Sequence, residues 1–248
     1  MEYVIAISGL DPSGKAGLLL DCCVMRAQGI WAAGIASALT VQNFRVAKGF
    51  TPVETKIISD QLELLFESDL PKAVKIGMLP NAEIAETIFS ALEGKNIPIV
   101  LDPILSTADG LPFIEPQACI RILEKFGKLI TVLTPNWDEV TRLSEIRKFV
   151  NVEIPAFAEF AFSTGIKAVV FKGGHLLGEE IVDRLVIHDG TEKEYVRKRL
   201  KFKPRGTGCA LSSAITAFLG LGETIVNAFT FAENFMDRFL TNLLNAAR

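Results

Sequence analysis

The stretch Tyr3-Val4-Ile5-Ala6-Ile7-Ser8-Gly9-Leu10-Asp11-Pro12-Ser13-Gly14-Lys15-Ala16 decides the fold class. Its first six residues form a nearly continuous apolar run, the pattern of a strand covered on both faces. A glycine-bearing turn follows, and the spacing then predicts a helix from about Lys15 to Gln28. Gly9 to Ala16 spells almost all of the phosphate-loop pattern G-x-x-x-x-G-K-[ST], but it fails at the last letter. Ala16 has no hydroxyl to ligate Mg²⁺, and Pro12 lacks an N–H in a loop whose task is to donate N–H groups. The segment reads instead as a turn that lets a flat ligand approach the first strand.

Outward from this unit the same alternation recurs. Apolar runs at Ile30–Leu39, Ala73–Ile76, Ile97–Leu101, Leu129–Leu133 and Ala168–Phe171 alternate with helical stretches near Val53–Glu67, Asn81–Leu92, Pro116–Phe126, Trp137–Leu143 and Ala156–Ser163. Repeated βα units predict an α/β fold with a mostly parallel central sheet and helices on both faces. After Gly173-Gly174, Val182–His188 and Glu194–Lys201 flank an Asp189-Gly190 turn, which predicts a short antiparallel hairpin in the C-terminal third. Two helices close the chain. No linker or repeat divides it, so residues 1–248 are expected to form a single domain.

The 248 residues carry 26 Lys+Arg against 29 Asp+Glu, and no long block of one sign suggests a nucleic-acid partner. The Arg197-Lys198-Arg199-Lys201-Lys203 cluster is read as a solvated strand edge or a local phosphate-facing patch. Although 49% of residues are hydrophobic, no run approaches the roughly 20 apolar residues of a spanning helix, so no membrane partner is expected. The N-terminus lacks the basic region of a signal peptide, and a cytoplasmic protein is expected. Cys22, Cys23 and Cys119 fall in apolar helices and read as structural. His188 reads as structural, and His175 as either a phosphate neighbour or a hydrogen-bonded loop residue.

In a sheet of this kind ligands bind beyond the carboxyl ends of the strands. The residues there are Gly9, Asp11, Ser13, Gly14 and Lys15; Thr40, Gln42 and Asn43; Gly77 and Met78; Asp102 and Pro103; Thr134, Asn136 and Glu139; and Lys172, Gly173, Gly174 and His175. Each has a plain structural alternative: Asn136 with Glu139, for instance, also reads as a capping box for the helix at Trp137. Near the C-terminus, Arg205-Gly206-Thr207-Gly208-Cys209 runs into a helix placed from Ala210 by the spacing of Leu211, Ile215, Phe218 and Leu219. Glycines before a helix start offer several N–H groups to one oxyanion, although a glycine-rich loop with an ordinary helix cap has the same pattern. Cys209 sits where a helix N-terminus can lower a thiol pKa.

Taken together, Ser8–Gly14, Ala38–Asn43, Val74–Leu79, Leu101–Pro103, Thr134–Asn136, Lys172–His175 and Gly206–Cys209 resemble, in order and spacing, the hydroxymethylpyrimidine/phosphomethylpyrimidine kinases of the ribokinase superfamily. The resemblance spans nearly the whole chain and implies a ribokinase-like fold. It also implies ATP-dependent phosphorylation of 4-amino-5-hydroxymethyl-2-methylpyrimidine and then of its monophosphate, for thiamine diphosphate biosynthesis. It places Gly9, Asp21, Gln42 and Met78 around the pyrimidine. Asp102 and Glu139, with Asn136, would organise Mg²⁺ and its waters. Lys172, Asn136 and Thr207 would meet ATP, and Gly206, Thr207 and Gly208 would form the anion hole. Cys209 would stand where most ribokinase relatives carry a base aspartate, serving as a general base or only as a shape element.

Three positions depart from the family pattern: Lys15 where a second glycine is common, Arg205 where a histidine is frequent, and the segment Ser106–Gly110. They add charge near the expected phosphate path. The nearest alternative function is a vitamin B6 kinase of the pyridoxal type, and a more distant one is a binding module without catalysis. Family members are often dimers, and Phe229–Leu244 is the expected interface of a homodimer.

Overall fold

The computed structural model describes residues 1–107, 109–149, 153–175, 178–200 and 204–246. One nine-stranded sheet runs through the chain in the order β3-β2-β1-β4-β5-β6-β7-β8-β9. Its parallel centre comprises β2 (Trp31–Gln42), β1 (Tyr3–Leu10), β4 (Val74–Ile76), β5 (Ile99–Leu101), β6 (Val132–Leu133) and β7 (Ala168–Phe171). Both outer ends are antiparallel. β8 (Glu180–Ile187) pairs with β7 and with β9 (Glu192–Lys198), as the Asp189-Gly190 turn predicts. The predicted second strand of that hairpin extended to Lys201, which lies outside the described residues.

The opposite end corrects the sequence reading. β2 runs past Leu39 to Gln42 and turns back as β3 (Ala47–Pro52), an edge strand the sequence did not signal. Ala47-Lys48-Gly49-Phe50-Thr51-Pro52 has no apolar alternation because little of it is buried, and Gly49 and Pro52 are poor strand formers. The reversal is set by Asn43, whose side-chain oxygen accepts from the N–H groups of Arg45 and Val46 at 2.8 and 3.0 Å.

Side-chain alternation along the strands builds a core on each face. Ile5 and Ile7 of β1, Ile76 of β4 and Leu101 of β5 face α2 (Thr55–Ser68), α3 (Ala82–Leu92), α4 (Pro116–Phe126), α5 (Trp137–Arg147) and α6 (Ile154–Ser163). Val4, Ala6, Val100, Val132 and Val170 face α1 (Gly17–Ala27), α7 (Thr207–Gly220) and α8 (Ile225–Ala246). A one-residue slip of any central strand would exchange these faces. Phe229, Met236 and Leu240 of α8 are spent on the second core, at 1%, 1% and 8% exposure, so that part of the Phe229–Leu244 stretch is not free for an interface, while Phe231 is exposed. Among the exposed apolar side chains, Leu39, Val41, Phe44 and Val46 lie together on β2 and the turn into β3.

Candidate active site

α7 begins earlier than its apolar spacing suggests, at Thr207, so Thr207, Gly208 and Cys209 form its first turn. The first intrahelical hydrogen bond runs from the Ala210 N–H to the Gly206 carbonyl, at 2.8 Å. The three N–H groups before it are the unsatisfied donors of a helix start, reinforced by the positive end of the helix dipole. Among the described residues no side chain caps them. Gly206 stands at φ 79°, in the left-handed region, and a Cβ there would overlap the Lys15 carbonyl oxygen. The start of α7 is thereby seated on the residues leading into α1.

Lys172, just beyond β7, brings positive charge to this helix end. A Cβ on Gly208 would lie 3.2 Å from its Nζ. The ammonium donates to Asp102 Oδ1 at 2.6 Å, and Ser212, one turn into α7, donates to Asp102 Oδ2 at 3.1 Å. Burial opposes charge on Asp102, but the Lys172 and Lys75 ammonium groups outweigh it and hold the carboxyl below its ordinary range. Asn136 and Glu139 form the capping box of α5: Asn136 Oδ1 accepts from the Glu139 N–H at 2.9 Å, and Glu139 Oε2 from the Asn136 N–H at 2.7 Å. Burial pushes Glu139 up to about 8, against the pull of Lys172. Asp102 and Glu139 thus flank Lys172, one charged and one inclined to hold a proton.

The predicted pyrimidine residues are divided. Gly9, near the end of β1, and Met78, just past β4, are in contact so close that a Cβ on Gly9 would lie 2.5 Å from Met78 Sδ. Gln42 ends β2, half-buried at the same sheet edge. Asp21 instead sits on α1 with no exposed surface, ion-paired to Lys75 and accepting from Ser213 Oγ at 2.9 Å. In this structure it is a buried support beneath α7, with one carboxylate oxygen, Oδ2, lacking a hydrogen-bond partner.

Cys209 reverses the expected direction of its pKa. Burial pushes the thiol up to about 11, and the Lys75 ammonium and a Gly17 N–H donated to the thiol offset this only in part. The helix end is too weak to compensate for lost water and the nearby Asp21 and Asp102 carboxylates. The loop after β1 behaves as its failed motif predicts. The Asp11 carboxylate accepts from the N–H groups of Ser13 and Ala16, at 2.8 and 3.2 Å, so the loop spends those donors on its own side chain.

The three departures are absorbed pairwise. Arg205 donates to Asp109 Oδ1 at 2.9 Å and to the Arg45 carbonyl at 2.8 Å, while the Ala47 N–H donates to Asp109 Oδ2 at 2.9 Å. Lys15 lies over the Phe44 ring, 5.2 Å from its centroid. These added charges tie the turn into β3 to the rim of the site. Ala108, within the divergent segment, is outside the described residues, as is the side chain of His175. His188 bonds the Lys167 carbonyl from the surface, consistent with a structural role.

Residues 11–248 match the phosphomethylpyrimidine kinase family. The chain belongs to that family. The hydroxymethylpyrimidine/phosphomethylpyrimidine kinase of Aquifex aeolicus is 33% identical, over 96% of this chain and 94% of the relative. The phosphomethylpyrimidine kinase of Clostridium difficile 630 superposes with a TM-score of 0.81 at 32% identity, covering 97% of this chain and all of that one. A pyridoxal kinase of Staphylococcus aureus, solved with pyridoxal, gives 0.83 at 25% identity, covering 96% and 87%. The ribokinase-like fold and the kinase class expected from the sequence are borne out.

For a member of the phosphomethylpyrimidine kinase family, the residues that sequence reasoning passed over lie one layer below the helix start. Lys75 is fully buried and also donates to the Cys209 carbonyl at 3.3 Å, and Ser213 donates to the same carbonyl at 2.7 Å. A lysine inside the apolar strand Val74-Lys75-Ile76 was the available signal, since a charge on a strand covered on both faces requires a buried partner.

Proposed function

We propose that this chain transfers the terminal phosphoryl group of ATP to the hydroxymethyl group of 4-amino-5-hydroxymethyl-2-methylpyrimidine, and then transfers a second one to the resulting monophosphate, in thiamine diphosphate biosynthesis. The observation that carries the reading is the Lys172 ammonium lying against Gly208, at a helix start whose first N–H groups have no capping side chain. That is a site for a phosphoryl group in transfer, whose charge spreads over its oxygens. The names of the relatives support the pyrimidine as acceptor, and the ADP complex of the S. aureus pyridoxal kinase supports ATP as donor.

Gly9, Met78 and Gln42 would hold the ring at the ends of β1, β4 and β2, with Asp21 supporting this wall from below. Thr207 and Gly208 would donate to the phosphoryl oxygens, and Lys172 would move from Asp102 toward the ATP phosphates. Asn136 would orient that side of the site through its cap on α5. Asp102 and Glu139 are the residues that would hold Mg²⁺. Among the described residues no three His, Cys, Asp or Glu side chains converge as a metal cage, which suits an ion that keeps its waters and takes one or two carboxylates. Bound there, Mg²⁺ would neutralise charge on the phosphates.

Cys209 would take the hydroxyl proton in the first transfer. The acceptor of the second is a phosphate, which is already largely ionised at neutral pH and needs no base. Cys209→Ala is therefore expected to slow the alcohol step by about 10²-fold or more. The monophosphate step should change much less. Equal losses in both steps would make the thiol a wall of the pocket. Because the thiol rests protonated, the wild-type alcohol step should quicken as pH rises toward the pKa of Cys209, as pre-steady-state phosphate transfer would show.

The reading itself is tested by following MgATP consumption with the pyrimidine alcohol, its monophosphate and pyridoxal side by side, with products identified by mass. Two successive mass gains of one phosphate on the pyrimidine are expected. Faster turnover of pyridoxal would move the assignment to a vitamin B6 kinase, which the fold likeness favours next. Binding without transfer would leave a ligand-binding module. A homodimer joined through Leu39, Val41, Phe44 and Val46 is the assembly we infer, since these four form the exposed apolar surface beside the site. The four cysteines are free, and no helix among the described residues is long and apolar enough to cross a membrane, in keeping with the cytosol as its compartment.

A further inference from the structure

In the basic run that begins on β9, Arg197 is not part of a solvated edge, and both Arg197 and Arg199 are spent on protein partners. Arg197, with its side chain 10% exposed, turns inward to an ion pair with Glu233 of α8, which is fully buried. Its Nη1 lies 3.7 Å from Asp183 Oδ2 on β8, and its Nε lies 3.4 Å from Asp237 Oδ1 on α8. The other oxygen of Asp183 accepts the N–H of Gly173 at 2.7 Å. Gly173 is the residue after Lys172. Arg199 donates to the carbonyl of Gly174 at 2.8 Å and to that of Gly178 at 2.8 Å. Gly173 packs so closely on β8 that a Cβ would overlap the Val182 carbonyl oxygen. The backbone beyond Lys172 is thus fixed by a hydrogen bond to its N–H, another to its next carbonyl, and direct contact with a strand.

We propose that Asp183 is a positioning residue for phosphoryl transfer. By holding the Gly173 N–H it sets where the loop carries the Lys172 ammonium relative to Gly208. Arg197, braced by Glu233, holds Asp183 in turn. None of these three side chains meets the pyrimidine residues, and the chain of contacts runs from the last helix, through β9 and β8, to the phosphate side of the site alone. The inference rests on the assignment of Lys172 to the ATP phosphates. Misplacing a reacting group by about 1 Å costs on the order of 10²-fold in rate.

Asp183→Ala is expected to raise the KM for ATP or lower kcat so that kcat/KM for ATP falls about 10²-fold. Pyrimidine affinity, measured by calorimetry without ATP, should stay within about twofold of wild type. Asp183→Asn keeps an oxygen acceptor for Gly173 but turns its amide nitrogen toward Arg197, so it should recover part of the loss. Should the alanine protein not fold, Asp183→Ser, whose hydroxyl is too short to reach Gly173, gives the same reading. Lys172→Ala is measured in parallel. If it is impaired with ATP while the Asp183 variants, corrected for folded fraction, match wild type, the positioning role is overturned and the Lys172 assignment stands. If Lys172→Ala itself matches wild type, both fall. An equal loss of pyrimidine and ATP affinity in Asp183→Ala would show a general structural defect and would also overturn the proposal.

Discussion

Lys75→Met is expected to destabilise the protein by about 3–5 kcal/mol, the cost of removing one partner from a buried ion pair. Lys75 and Asp21 are both without exposed surface, and among the described residues the lysine is the only charged donor to Asp21, whose second oxygen has no hydrogen-bond partner there. Burial opposes charge on Lys75, but the neighbouring carboxylates of Asp21 and Asp102 prevail and keep it an ammonium. Methionine fills the volume and leaves a carboxylate stranded under α7. The double variant Lys75→Met/Asp21→Leu removes both charges, and should recover most of that stability. Urea unfolding of the two single variants and the double variant measures the coupling. If Lys75→Met alone were as stable as wild type, the pair would be no support at all. Activity should stay low even in the stable double variant, because the Cys209 carbonyl loses the Lys75 donor that holds the first turn of α7.

Gly206→Ala should abolish most turnover. The residue stands at φ 79°, which costs an L side chain about 1 kcal/mol or more, and its Cβ would overlap backbone rather than a movable side chain. The Lys15 carbonyl cannot yield without moving the start of α1, so the start of α7 must shift instead. Losing the aim of one oxyanion donor typically costs 10²–10³-fold in kcat, and here the N–H groups of Thr207, Gly208 and Cys209 shift together. We expect a kcat about 10²–10³-fold lower, with pyrimidine binding retained, because Gly9 and Gln42 lie on strands and Met78 just past one, away from the start of α7. Stopped-flow transfer and calorimetric binding on the same preparation separate the two quantities. Wild-type turnover would show that the helix start does not stabilise the transferring group.

Much of this was legible in the order of residues. The parallel centre follows from runs such as Tyr3–Ser8 and Ala168–Phe171, whose composition states that both faces are covered. The hairpin follows from Asp189-Gly190, whose geometry few other pairs supply. β3 was hidden because an edge strand with one partner leaves most of its residues to solvent, and so carries no apolar period. In the candidate site, the positions of Lys172, Gly206 and Gly208 were readable because their signals are local: a charge after a strand, glycines before a helix. The partners of Lys75 and Asp183 were not, because they lie 54 and 10 residues away, and no spacing within a helix or strand encodes that distance. The pKa of Cys209 failed for a related reason. A helix start is visible in sequence, whereas the loss of water around a thiol depends on what the rest of the chain lays over it.

The strand order has a consequence for how such a protein changes its substrate. From β1 the chain winds outward to β2 and β3, then α2 returns it to β4 on the other side of β1 and the later strands are added in that direction, so the connections that leave β1 and β4 run in opposite directions and part beyond their ends. Such a reversal of winding leaves room beyond the strand ends, near which Gly9 and Met78 lie, and no particular side chain is needed to hollow it out. A cavity guaranteed by topology tolerates exchange of its lining. Structures named for pyridoxal and for phosphomethylpyrimidine accordingly share this winding at TM-scores of 0.83 and 0.81 against this chain. On the proposed function, the choice between two flat alcohols would then fall to a few residues such as Gln42 and Met78, while the winding that hosts them stays fixed.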